Sequence, residues 1–273
     1  RAETKLFDPD FVSHSIGVPQ ESTAHSYSLP FNHEAAFEKI AKHKDNLAVV
    51  MIEGIQGAGG AIPAEREFLL ELRKVCTDSG VLLLIDEIIT GFRLSFGGAQ
   101  EFFGVEADIA TYSKVIGAGL PLGVICGTED VMGILGSTGD AARDLREKSY
   151  FGGTFNGCVP VMAVGIAVVS HLKEHLEIYG QLNQMGKNLW QRLTELVVEN
   201  DYPVAVVGES SLFMLRFVSG KVNSQRDLVG ENKVAMNHLY PYLSKYGVFI
   251  PHSHFGLLSA AHTENDIQEI VES

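Results

Sequence analysis

Apolar residues fall along the first half of this chain in two kinds of run. Leu47-Ala48-Val49-Val50-Met51-Ile52 and Val81-Leu82-Leu83-Leu84-Ile85 are short, continuous and rich in branched side chains, the pattern of strands buried on both faces. Between them Phe68, Leu69, Leu72, Val75 and Cys76 recur at helical spacing behind Pro63. Strand, helix and strand in this order make a βαβ unit, which predicts parallel strands with helices over both sheet faces. A short helix is expected from His33 to Lys44, and a further strand from Ala107 to Ser113. Residues 1–33 are polar and turn-rich, with little periodicity.

The pattern changes in the second half. Val159–Leu176 and Gln181–Asn200 read as long helices, the second with Leu182, Met185, Leu189, Leu193 and Leu196 along one stripe. A strand over Leu212–Val218 follows, then a helix over Glu231–Tyr246 that Pro241 should kink. Short strands near Val248–Pro251 and Leu257–Ala260 precede a terminal helix, where Thr263 caps and Asp266 stands three residues on. The expected architecture is α/β: a mostly parallel sheet flanked by helices over residues 1–165, and a smaller α+β domain over residues 166–273.

Composition narrows the partners. A net charge of −13 over 273 residues, with no basic patch, argues against nucleic acid and against an anionic membrane surface. The longest apolar stretch, Met162–Val169, is interrupted by Gly165 and falls far short of a membrane span. Cys76, Cys126 and Cys158 are scattered without a CxxC pattern, which fits a reducing cytoplasm. The chain starts at Arg1 without a signal peptide or an initiator methionine, and so reads as a fragment or a processed piece.

Chemistry concentrates at two strand ends. In parallel sheets ligands bind beyond the carboxyl ends of the strands, and Asp86 and Lys114 both fall there. Alone, Asp86 is an acid capping a strand and Lys114 a solvated lysine. Together, with Lys114 opening onto the small-residue loop Val115–Gly123, they are what a pyridoxal phosphate enzyme needs. The amine, favoured in its free form by desolvation, can hold the cofactor aldehyde as a Schiff base, while the carboxylate keeps the pyridine nitrogen protonated. Other motifs carry less. His171-Leu172-Lys173-Glu174-His175 matches an inverted zinc-protease pattern, but on a charged, solvated helix end; no metal site is expected. His252 and His254 are spaced to share one strand face, read as a surface pair ahead of a substrate-channel role, and Gly57-Ala58-Gly59-Gly60 lacks the Gly-Lys-Ser/Thr of a P-loop.

Three segments in order carry a family resemblance: Asp86-Glu87-Ile88-Ile89-Thr90-Gly91-Phe92-Arg93, Ser113-Lys114-Val115-Ile116-Gly117-Ala118-Gly119-Leu120-Pro121-Leu122-Gly123, and Gly152-Gly153-Thr154-Phe155. They resemble the class III aminotransferases, a branch of the fold type I pyridoxal phosphate enzymes. Gly98–Val105 and Ala261-His262-Thr263 make the chain most similar to the glutamate-1-semialdehyde aminomutases and to aminotransferase domains within polyketide–peptide synthases.

The resemblance implies a cytoplasmic enzyme using pyridoxal 5'-phosphate, with Lys114 as the Schiff-base lysine and Asp86 on the ring nitrogen. It places the cofactor in the 1–165 domain. Ile89 would lie beside the ring hydroxyl. Gly153 and Thr154 would reach the cofactor phosphate of the other subunit in a homodimer, with Tyr150 lining the same pocket. The family's phosphate-binding turn and ring-stacking aromatic lie ahead of the region matching residues 1–50, so the N-terminal part of the usual fold is missing from this sequence. No arginine lies near Ile250–Ser259, where many relatives hold a substrate α-carboxylate. The loop Gly136–Ser149 reads as a mobile lid. Three functions stay open: amino transfer or isomerisation on a small amino or carbonyl substrate, amination of a β-ketoacyl thioester on an acyl carrier protein, and a non-catalytic truncated relative.

Overall fold

The computed structural model describes residues 15–251 and 254–273, so the expectations for residues 1–14 and for His252 lie outside the described residues. Helix α1 (Ala35–His43) buries Ala36 and Ile40 and leads into strand β1 (Val49–Glu53). A small antiparallel pair, β2 (Ile55–Gln56) and β3 (Ile62–Pro63), closes the glycine loop and has no counterpart in the sequence expectations. Helix α2 (Arg66–Ser79) buries Phe68, Leu69, Leu72 and Cys76, the stripe its spacing predicts. It stops at Gly80, which takes the left-handed conformation at φ +67° and donates its N–H to Cys76 and Thr77. Strand β4 (Leu82–Glu87), helix α3 (Gly98–Phe103), strand β5 (Ile109–Tyr112) and strand β6 (Val124–Gly127) complete this half.

The sheet order is β1-β4-β5-β6, with β1, β4 and β5 parallel and β6 antiparallel at the edge. Asp108 fixes the start of β5: it accepts the Leu83 N–H at 2.6 Å and pairs with Arg73 at 2.7 Å. Val50, Leu83, Ile85 and Ala110 are buried on one face, the first three in one core with α1 and α2. The opposite face departs from the expectation of helices on both sides. There Met51 is 70 % exposed and Ile125 48 %, because the described helices α1 and α2 gather on the other face.

Beyond β6 come α4 (Glu129–Met132) and α5 (Ala141–Glu147), then α6 (Val159–Glu174) and α7 (Glu177–Glu199), which meet at a bend of 79°. No single helix among the described residues is long and apolar enough to cross a membrane. The second sheet is antiparallel, ordered β7 (Ala205–Glu209), β8 (Leu212–Arg216), β9 (Gly256–Leu257), with α8 (Lys233–Lys245) and α9 (Glu264–Glu272) beside it. No strand forms at Val248–Pro251, and β9 is shorter than expected. Val207, Leu212 and Met214 join the core of the first sheet, whereas Leu189, Leu193, Phe213, Leu258 and Ile267 form a second one.

The terminal cap is the one its spacing predicts. Thr263 and Asp266 exchange side-chain and backbone hydrogen bonds in a full capping box ahead of α9. Thr263→Ala should cost about 1 kcal/mol in denaturant unfolding, since it strips the Asp266 N–H of its acceptor.

Candidate active site

Parallel pairing places polar side chains in one row. Glu53 is in register with Asp86, and Asp86 with Thr111, so all three stand on one sheet face near the carboxyl ends of β1, β4 and β5. Asp86 Oδ1 accepts the Ile88 N–H at 2.9 Å and the Thr111 hydroxyl at 3.0 Å. Those two donors fix the plane of the carboxylate, and Oδ2 has no hydrogen-bond partner among the described residues.

Lys114 comes two residues after β5, at φ +44°, a left-handed conformation seldom taken by a residue with a side chain. Ala118 at φ +44° ends the turn and donates its N–H to Val115 at 3.2 Å. Ser113 then ties the loop back through Leu122, its hydroxyl 2.6 Å from that carbonyl oxygen. Helix α6 packs against the Lys114–Gly117 turn and holds it from outside. Lys114 itself is exposed, so the desolvation expected from the sequence is not supplied by the described residues of this chain.

Glu53 joins this pair electrostatically. Burial pushes its carboxyl above the usual range; the Gly57 N–H, 3.0 Å from Oε2, opposes that, the Asp86 charge adds to it, and Lys114 subtracts. In the sequence Glu53 stands out only as part of Glu53-Gly54-Ile55-Gln56. The available signal was its position closing an apolar strand run, the same position Asp86 holds. Ile89 faces the same corner: a Cβ on Gly57 would lie 2.2 Å from Ile89 Cδ1, so only glycine leaves Ile89 its place.

The turn after Asp86 is fixed by a buried acid. Glu87 is fully buried and accepts the Thr90 hydroxyl and the N–H groups of Ala99 at 2.9 Å and Gln100 at 3.0 Å, capping α3. Gly98, at φ +71°, leaves room for this, since its Cβ would lie 2.6 Å from Glu87 Oε2. Gln100 continues the chain to the Tyr112 hydroxyl at 3.2 Å, and burial raises that phenol to about 12.

Tyr150, Gly153 and Thr154 are not brought to this corner. They lie on an exposed loop, Tyr150 95 % exposed, with no hydrogen bond to Asp86 or Lys114 among the described residues. The expected lid Gly136–Ser149 contains helix α5, capped by Asp140 and braced where Asp144 accepts from Ser137 and Thr138. Those local bonds hold the Asp144 carboxyl below its usual range and give the segment more order than a bare lid loop. The His171 and His175 rings lie 4.4 Å apart, and His175 meets Glu177 at 3.0 Å. Among the described residues no group of three His, Cys, Asp or Glu is placed to hold a metal ion.

The family model described as "Aminotransferase class-III" matches residues 3–255. A glutamate-1-semialdehyde 2,1-aminomutase from Methanosarcina acetivorans is 36 % identical over 273 residues, covering 99 % of this chain and 61 % of the relative. An omega-transaminase structure from Sphaerobacter thermophilus superposes with a TM-score of 0.86 at 29 % identity, over 96 % of this chain and 58 % of that one. A beta-phenylalanine aminotransferase structure from Variovorax paradoxus gives a TM-score of 0.80 at 32 % identity, over 89 % and 55 %. The chain thus spans about 60 % of the length of the relatives it matches.

Proposed function

The chain belongs to the class III aminotransferase family, a family of pyridoxal-phosphate-dependent enzymes of fold type I, and from that premise we propose that it carries the lysine and the carboxylate of an amino-group transfer or isomerisation centre. The supporting observation is the pair itself: Asp86, with Oδ2 unpartnered among the described residues, and Lys114, at the carboxyl ends of adjacent parallel strands. These groups fit the cofactor's chemistry, an amine for its aldehyde and a carboxylate for its ring nitrogen. When bound, pyridoxal phosphate supplies the electron sink that makes the donor's Cα–H acidic.

The chain's own groups do the rest. Asp86, its orientation set by Ile88 and Thr111, would hold the proton on the cofactor's ring nitrogen. Lys114 Nζ would move the proton from the donor's α-carbon to the cofactor carbon that had carried the aldehyde, and in the opposite direction with the acceptor, a reach its four-carbon stem allows. Ile89 and Gly57 shape the wall beside Asp86, and Glu53 adds a second carboxyl to that corner. The exposed loop with Tyr150, Phe151, Thr154 and Phe155 fits a role in a second subunit's site, Thr154 meeting the phosphate there. The free cysteines Cys76, Cys126 and Cys158 suit a reducing, cytoplasmic setting.

The relatives favour a small amino or carbonyl substrate of the glutamate-1-semialdehyde kind. The likeness to an aminotransferase of a β-amino acid favours, as a second reading, a β-keto group presented as a carrier-protein thioester. Half-reactions separate them. The polypeptide carrying this chain, loaded with pyridoxal phosphate, is mixed in turn with glutamate-1-semialdehyde, a β-amino acid and, in its pyridoxamine form, a carrier-bound β-keto thioester. Rapid change of the visible band with the first alone supports the leading reading, and turnover of the thioester alone supports the second. No band and no turnover with any of them would leave a non-catalytic relative.

A further inference from the structure

We infer that Arg93 is a positioning residue that fastens the turn following Asp86 to the β7–β8 hairpin, so that the hairpin helps set where the Asp86 carboxylate stands. The inference rests on the reading of Asp86 as the cofactor's partner, and names a residue that acts on it from the second sheet. Arg93 Nη1 donates to Ser211 Oγ at 3.3 Å and to the Leu258 carbonyl oxygen at 3.1 Å. Both acceptors are neutral, and no carboxylate pairs with Arg93 among the described residues. Burial holds the guanidinium below its usual range. A part-buried cation with no carboxylate partner among the described residues is a poor choice for stability alone, where an apolar side chain of similar size serves as well or better.

The flanking residues repeat the connection. Tyr179 donates its hydroxyl to the Phe92 carbonyl oxygen, and Asn183 its amide to that of Leu94, each at 3.4 Å. Asn183 in turn accepts the Ser210 hydroxyl. Three successive residues, 92 to 94, are thus held by α7 and the hairpin. On its other side the same turn is fixed to Asp86. The Ile88 N–H meets the carboxylate at 2.9 Å, the Gly91 N–H meets the Glu87 carbonyl at 2.8 Å, and Arg93 and Leu94 both donate to Thr90. The hairpin itself is stiff, with Ser210 at φ +55° between the paired residues Glu209 and Leu212. A shift of the hairpin therefore reaches Asp86 through seven residues of closely bonded turn.

The test compares Arg93→Met, Arg93→Lys and Ser211→Ala in the polypeptide carrying this chain. In cofactor-free protein, amide hydrogen exchange over residues 86–94 should accelerate at least about tenfold in Arg93→Met, with exchange in β1 unchanged. In protein loaded with pyridoxal phosphate, Arg93→Met should lower kcat of the donor half-reaction by about 10- to 100-fold, leave KM within about twofold, and alter the visible band. Arg93→Lys should recover most of both. Should Arg93→Met not fold, Ser211→Ala removes one acceptor only and should show a smaller change in the same peptide. Unchanged exchange over 86–94 in the folded variants, or a kcat loss that merely follows melting temperature, overturns the inference. A wild-type polypeptide that forms no visible band overturns instead the reading of the site, while the exchange data still report on the connection.

Discussion

Lys114→Ala should abolish the visible band expected of the polypeptide with pyridoxal phosphate and slow the proposed donor half-reaction by about 10,000-fold or more, while leaving the protein folded. The size follows from the loss of two services in one side chain, covalent attachment of the aldehyde and proton transfer at the donor's α-carbon. The intact fold follows from where Lys114 sits. Its side chain is exposed, and φ +44° is as strained for alanine as for lysine, so the substitution removes no core contact and adds no strain. Absorbance spectra, single-turnover rates and melting curves measured together check this. A variant that keeps the band, or that loses it only because it unfolds, would remove Lys114 from the centre of the proposal.

Gly186→Ala should destabilise the protein by about 3 kcal/mol, against the trend for such changes in helices. Helix propensity alone favours alanine by about 1 kcal/mol. At Gly186, however, a Cβ would stand 1.8 Å from the Ser210 carbonyl oxygen and 2.4 Å from its carbon, backbone atoms that cannot rotate aside. Either α7 or the hairpin must move, and α7 is held by buried Leu182, Leu189 and Leu193. Gly180, in the same helix, has nothing within 4 Å of its Cβ position, so Gly180→Ala should be neutral or stabilising. Denaturant unfolding of both variants gives the comparison; equal effects would mean that the close approach of helix and hairpin is not maintained in solution.

Much of the fold can be read from single-segment patterns. The apolar runs at β1 and β4, the stripe of α2, the long helices and the Thr263 cap all depend on neighbours in the sequence, which is why spacing finds them. The misses share another cause. Strand β7 is short and contains Gly208, β6 is interrupted by glycine at both ends, and β2 and β3 have only two residues each, so none builds a periodic signal. Helix α5 was hidden in a polar loop, although Asp140 two residues ahead of Ala142 is a usable start signal. At Val248–Pro251 only Ile250 packs against the cores while Phe249 stands 80 % exposed, and no ladder forms, a tertiary outcome that β propensity does not foresee. For the site, Asp86 and Lys114 were legible because each stands at the carboxyl end of a strand that the sequence predicts. Glu53 also closes an apolar run, but its relation to Asp86, like that of Thr111, exists only across strands, and Arg93 reaches partners more than a hundred residues away.

The row of Glu53, Asp86 and Thr111 has one more consequence. Its members sit on neighbouring strands in register, so the interval between them is the hydrogen-bonding repeat of the sheet, about 4.8 Å. The backbone acts as the ruler. Exchanging one core side chain for another beneath the row therefore lowers the melting point well before it respaces the acids, and this corner of the molecule tolerates drift in its interior while keeping its gauge.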